Sequence, residues 1–152
     1  MSDAAAPDRR GPGTRTKARK RALDILFEAD LRDSDPLEAL ADHVERSEPP
    51  VRDFTTRLVQ GVERRHDEID QLIVDSLTGA WTLDRMPRVD RSLARIAVFE
   101  MLDGDVPAEV AIDEAVSLAK ELSTDESPDF LNGMLGAVRA RVSAPGPDAA
   151  EV

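Results

Sequence analysis

Val89-Asp-Arg-Ser-Leu-Ala-Arg-Ile-Ala-Val-Phe-Glu-Met-Leu102 is the stretch on which the fold turns. After Leu93 it is apolar on nearly every side, apart from Arg95 and Glu100, and a helix of that kind packs centrally, against several neighbours. Asp103-Gly-Asp-Val-Pro107 ends it. Toward the C-terminus, a helix from about Glu109 to Leu122 turns Ala111, Ala115, Leu118, Ala119 and Leu122 inward, and Asp113, Glu114, Ser117, Lys120 and Glu121 outward. Ser127-Pro-Asp129 combines a cap, a first-turn proline and a first-turn acid. It opens a last helix with Phe130, Leu131, Met134, Leu135 and Val138 on its core face.

Toward the N-terminus, Gly79-Ala-Trp-Thr-Leu-Asp-Arg-Met-Pro87 is a connector with one large anchor, Trp81. Before it, a helix starting near His66 or Asp67 carries Ile69, Leu72, Ile73 and Leu77, and another carries Val51, Phe54, Leu58, Val59 and Val62. Asp35 as N-cap and Pro36 in the first turn open a helix striped with Leu37, Leu40, Ala41 and Val44. The first helix runs from about Thr16 to Leu31. The expectation is an all-α, compact bundle of about seven short helices over residues 15–142, with disordered tails at 1–14 and 143–152.

Composition agrees: aromatic residues are 3%, alternating β-branched runs are absent, and helix formers dominate the 152 residues. With no cysteine, disulfides, thiolate metal sites and cysteine nucleophiles are excluded. No apolar run approaches a membrane span, and no apolar core follows the N-terminal charges, so a cytoplasmic protein without membrane contact is expected.

Charge is unevenly distributed. Residues 1–21 carry a net +5, whereas the rest of the chain carries −16 within a total of −11. Arg15, Lys17, Arg19, Lys20 and Arg21 crowd the start of the first helix, where the macrodipole makes cations mildly unfavourable. Against so acidic a background this arm points to a polyanion, RNA or DNA first. Phosphate contacts supply affinity and salt dependence but little sequence choice. Phe130 and Asn132 are chemically suited to add that choice, by stacking on and hydrogen-bonding to unstacked bases. A second row, Arg85, Arg88, Arg91 and Arg95, is interleaved with Asp84, Asp90 and Glu100, and reads as a protein-contact surface or as solvated ion pairs.

Signs of catalysis are few. Glu63-Arg-Arg-His66 has the spacing of a di-iron bundle ligand pair, but His43 has Leu40 three residues before it, so the second unit is missing. No Gly-x-Ser-x-Gly elbow and no phosphate-cradling glycine loop occurs. Carboxylate neighbours such as Asp113/Glu114 and Asp125/Glu126 fit a solvated helix face and a helix-start cap. No enzyme, metal or cofactor is expected.

Several pieces together resemble the NusB family of transcription antitermination factors. They are Ala18-Arg-Lys-Arg-Ala-Leu-Asp-Ile-Leu-Phe27, Val89-Asp-Arg-Ser-Leu-Ala-Arg-Ile-Ala-Val-Phe-Glu100, Val106-Pro, Val110-Ala-Ile-Asp-Glu-Ala-Val116, Leu118-Ala-Lys-Glu121 and Ser127-Pro-Asp-Phe-Leu-Asn-Gly133. They span about residues 15–140; Trp81-Thr-Leu-Asp-Arg and Lys120-Glu-Leu-Ser-Thr-Asp resemble the actinobacterial branch. The resemblance implies two helical subdomains. It also implies binding of single-stranded boxA RNA in ribosomal RNA leader transcripts, together with NusE, a small-subunit ribosomal protein, and through it the RNA polymerase antitermination complex. It places Arg15, Lys17, Arg19 and Lys20 on RNA, with Asp125, Glu126, Ser127, Phe130 and Asn132 near RNA as well. Asp90, with Arg91 beside it, falls to the NusE contact. An amphipathic arm could also hide in a homodimer. The competing reading is an acidic helical protein–protein adaptor without RNA binding.

Overall fold

Among the described residues, seven α-helices account for most of the structure. The computed structural model describes residues 13–46 and 48–144. In order these are α1 (Thr14–Arg32), α2 (Pro36–Arg46), α3 (Asp53–Arg64), α4 (His66–Ser76), α5 (Arg88–Asp103), α6 (Ala108–Leu122) and α7 (Ser127–Ser143), with a 3-10 turn at Leu83–Arg85. No strand occurs among the described residues. Of the two expected tails, residues 1–12 and 145–152 lie outside the described residues, while Thr14 and Ser143 are the end residues of α1 and α7. The chain divides at His66/Asp67 into two compact units.

In the first unit α1 packs on α2 and α3, and α2 on α3. Ala18, Ala22, Leu23, Ile25, Leu26 and Ala29 are the buried face of α1, and Leu58, Val59 and Val62 that of α3. Thr55 Oγ1 donates to the Ala18 carbonyl at 2.9 Å, stitching α3 to α1. Asp33 ends α1 in the left-handed region (φ 53°), and the Ser34 amide reaches back to the Ala29 carbonyl. Asp35 then caps α2 as its type predicts, its Oδ1 accepting from the Leu37 amide at 2.9 Å. One expectation differs. Of the apolar stripe on α2 only Leu40 is buried, joined by Ala39, whereas Leu37, Ala41 and Val44 face solvent. The contact that α2 makes with α1 and α3 is narrower than its apolar stripe.

In the second unit α5 packs on α6 and α7, and α6 on α7. Every residue of α5 from Asp90 to Met101 is buried except Arg95, which is half-buried, so the all-round apolar sequence does mark a central helix. Gly104 ends it at φ 76°, a conformation that costs glycine nothing, with its amide on the Glu100 carbonyl at 3.0 Å. Arg95 grips Asp70 of α4 with a two-pronged bond, 2.8 and 2.9 Å. Arg141 of α7 donates to the Asp75 carbonyl at the end of α4.

Candidate nucleic-acid interface

The basic arm occupies the first two turns of α1. Its helix starts from Gly13 with no side-chain cap and no acid in its first turn, so neither device that usually favours a helix start is present. The five cations then part ways. Arg19 is only 4% exposed, and its guanidinium lies 5.3 Å from the centroid of the Phe54 ring. Arg15 is exposed and sits over the same ring at 4.4 Å. Arg21 turns the other way and donates to the Pro49 carbonyl at 3.0 Å, tying α1 to the segment before α3. Lys17 is exposed and Lys20 half-buried. The outward cationic surface is therefore Arg15 and Lys17, with Lys20 at its margin, and the Arg15 guanidinium rests on the Phe54 ring. Counting Phe54 only as a core position at helical spacing hides this second use of its ring. Next along the helix, burial raises the Asp24 carboxyl above its ordinary 3.8, while Lys20, Arg21 and His43 pull it down.

The turn between α6 and α7 holds the second group of candidates. Asp90, in the first turn of α5, is 1% exposed. Its Oδ1 accepts from Ser123 Oγ at 2.5 Å and its Oδ2 from Ser127 Oγ at 2.8 Å. Ser127 Oγ, itself 1% exposed, also accepts from the Thr124 amide at 3.3 Å and lies 2.8 Å from Thr124 Oγ1. One carboxylate thus holds both ends of the 123–127 turn. Ser127, expected from its Ser-Pro-Asp setting to cap α7, instead points its hydroxyl inward. Asp125, Glu126 and Asn132 are exposed, and Phe130 is half-buried. The arm residues lie in the first unit, and Asp90, Arg91 and residues 125–132 in the second.

Trp81 departs from expectation. It is no buried anchor: 46% of it is exposed, and its ring stands against Phe130 with centroids 4.9 Å apart and planes tilted by 40°. A recess of about 400 Å³ beside it is lined by Ala80, Trp81 and Arg85. The arginine row also splits. Arg91 is buried and donates to the Leu83 carbonyl at 2.7 Å, bracing the 3-10 turn. Arg95 is held by Asp70, whereas Arg85 and Arg88 are exposed. A regular spacing cannot distinguish a guanidinium directed into the fold from one directed to solvent.

Among the described residues, no group of three or more His, Cys, Asp or Glu side chains could hold a metal ion. His43 pairs with Glu28 at 3.2 Å. No helix of the described residues is long and apolar enough to cross a membrane.

The chain is similar to known proteins over nearly all of this architecture. A model of the NusB family matches residues 16–140. The transcription antitermination protein NusB of Acidothermus cellulolyticus is 57% identical over 127 residues, which are 83% of this chain and 87% of that protein. Among solved structures, T. maritima NusB superposes with a TM-score of 0.74 at 30% identity, covering 91% of this chain and 97% of the other. A structure of antitermination factors NusB and NusE in complex with dsRNA gives 0.72 at 26% identity, covering 84% and 96%.

Proposed function

The chain belongs to the NusB family, and from that premise we propose that it is a transcription antitermination factor that binds RNA together with NusE. It takes boxA-type single-stranded RNA of ribosomal RNA leaders, and through NusE it joins the antitermination complex on RNA polymerase, in the cytoplasm. Its role is adaptor, with no reaction and no cofactor. The observation that carries this is the cationic start of α1, directed by Phe54 in a chain of net charge −11. The solved complex of NusB and NusE with dsRNA supports NusE and RNA as partners.

In this reading Arg15, Lys17 and Lys20 follow the phosphates, and Arg19 acts from inside by holding the Phe54 ring beneath Arg15. Asp125, Glu126, Phe130 and Asn132 form the second RNA-facing group, on a turn that Ser127 secures. Asp90 and Arg91, sealed within the second unit, serve NusE through the surface they support.

The test is binding to a short boxA-like RNA across a salt series, with and without NusE, against scrambled RNA and duplex RNA and DNA. A clamp of roughly three to five phosphates gives a slope of log affinity on log salt of about −2 to −3.5. That slope, preference for the single-stranded sequence and tightening by NusE are the expected result. The slope without preference leaves a generic cationic arm. Absence of binding even with NusE overturns the proposal in favour of an acidic protein–protein adaptor. Light scattering with and without RNA tests the other use of the arm, burial in a homodimer.

A further inference from the structure

We propose that Trp81 is a base-stacking residue: its exposed face, beside the recess that Arg85 rims, takes one unstacked base of the RNA. The inference rests on the RNA-binding reading above and adds a residue and a contact chemistry to it. Four observations carry it.

First, a large ring is left 46% exposed on a connector, although it has an aromatic neighbour on one side. Such an indole presents a flat apolar face on which a planar group can stack. Second, the ring is backed by a neighbour and the connector that carries it is braced. Phe130 backs it at 4.9 Å, the Trp81 amide is bonded to the Thr78 carbonyl, and Thr82 Oγ1 accepts from the Arg85 amide at 3.2 Å to fix the turn that follows. Third, the adjoining recess of about 400 Å³ is of a size that takes a small planar group. The Arg85 guanidinium reaches back to the Ala80 carbonyl at 3.4 Å, which keeps it at the rim. Fourth, the charges nearby in sequence are mixed. Asp84 follows Trp81 closely, and Asp125, Glu126 and Asp129 flank Phe130. Such acids disfavour a phosphate but not the neutral face of a base.

An indole face with a guanidinium at its rim is the chemistry of a stacking platform for single-stranded nucleic acid. Labour is thus divided: the arm of α1 supplies charge, and the Trp81–Phe130 pair supplies contact with a base. Stacking tolerates any base, so the platform adds affinity and a preference for unstacked over paired RNA.

Trp81 is the only tryptophan of the chain, so its emission reports this site alone. The experiment titrates the full-length protein with a short boxA-type single-stranded RNA, then with copies in which one nucleotide at a time is abasic. The expected result is saturable quenching of the indole by RNA. Trp81→Ala should weaken binding about 5- to 150-fold with an unchanged salt slope, and Trp81→Phe should recover much of the loss. One abasic position should cost the wild type a similar factor and cost Trp81→Ala nothing more. Circular dichroism melting of both variants confirms that the helices persist.

RNA binding with flat emission and an undiminished Trp81→Ala overturns this inference and leaves the proposed function standing. Quenching by NusE alone, with Trp81→Ala losing NusE but not RNA, also overturns it and makes the patch a protein contact. A wild type that binds no RNA under any condition removes the RNA-binding reading itself, and this inference with it.

Discussion

Asp90 stands where the dipole of α5 favours an acid, yet its carboxylate is sealed from water by the two serine hydroxyls it accepts from. Hydrogen bonds to a charged group are worth about 1.5–3 kcal/mol each, and their loss takes from the buried Ser127 hydroxyl the carboxylate that accepts its proton. Asp90→Ala should therefore destabilise the protein by about 2–4 kcal/mol, read as a lowered urea midpoint. Asp90→Asn should fall between the two, since an amide offers one acceptor oxygen where the carboxylate offers two. If Asp90 met NusE directly, Asp90→Asn would lose NusE at unchanged stability; the geometry predicts the stability loss first. Asp24 supplies a weaker, opposite case. Its carboxyl is raised by burial, so the folded protein holds this proton more tightly than the unfolded chain. That contribution is complete below the ordinary value of 3.8 and is lost as pH rises through the raised value of the folded state. Denaturation of Asp24→Asn from pH 3 to 6 should show this fall in stability removed. The effect is small, because Asp24 as a whole is exposed and water screens the part of its carboxyl that is covered.

The two elements that carry the proposed RNA contacts, α1 and the 123–127 turn, are each organised by a partner remote in sequence. For α1 that partner is Phe54 of α3, beneath Arg15 and Arg19. Each cation–π contact is worth about 0.5–1 kcal/mol at an exposed site. The larger consequence is direction: a guanidinium resting on a ring loses less freedom on meeting a phosphate. With Arg19 buried and Arg21 bonded to Pro49, Arg15 and Lys17 carry most of the exposed charge. Arg15→Ala with Lys17→Ala should make the salt slope shallower by about 1.4, at about 0.7 per single-strand phosphate. Arg21→Ala should leave it nearly unchanged. A salt series on both variants separates the two outcomes. For the 123–127 turn the partner is Asp90, 33 and 37 residues from the serines it binds.

At the scale of the whole molecule, a net charge of −11 disfavours non-specific attachment to nucleic acid, and the arm is the stretch of the chain where that charge is locally reversed. The sequence by itself determined the helical class, the central place of α5 and the position of the arm. All three follow from properties local to a segment: apolar residues at a period near 3.6, capping residues and breakers, and charges close together along one helix. Resemblance to a family singled out Asp125, Glu126, Ser127, Phe130 and Asn132, and the RNA-binding experiment above tests that assignment. Only the tertiary structure decided which way individual side chains point. Arg19, Arg91 and Ser127 look like surface groups in a linear reading and prove to be buried, whereas Trp81 looks like an anchor and proves to be half-exposed. The physical reason is that the burial of a polar group depends on whether a partner waits inside; for Arg91 and Ser127 those partners are the Leu83 carbonyl and Asp90. Each lies outside the local pattern of the residue it satisfies, so only the folded chain brings the two together.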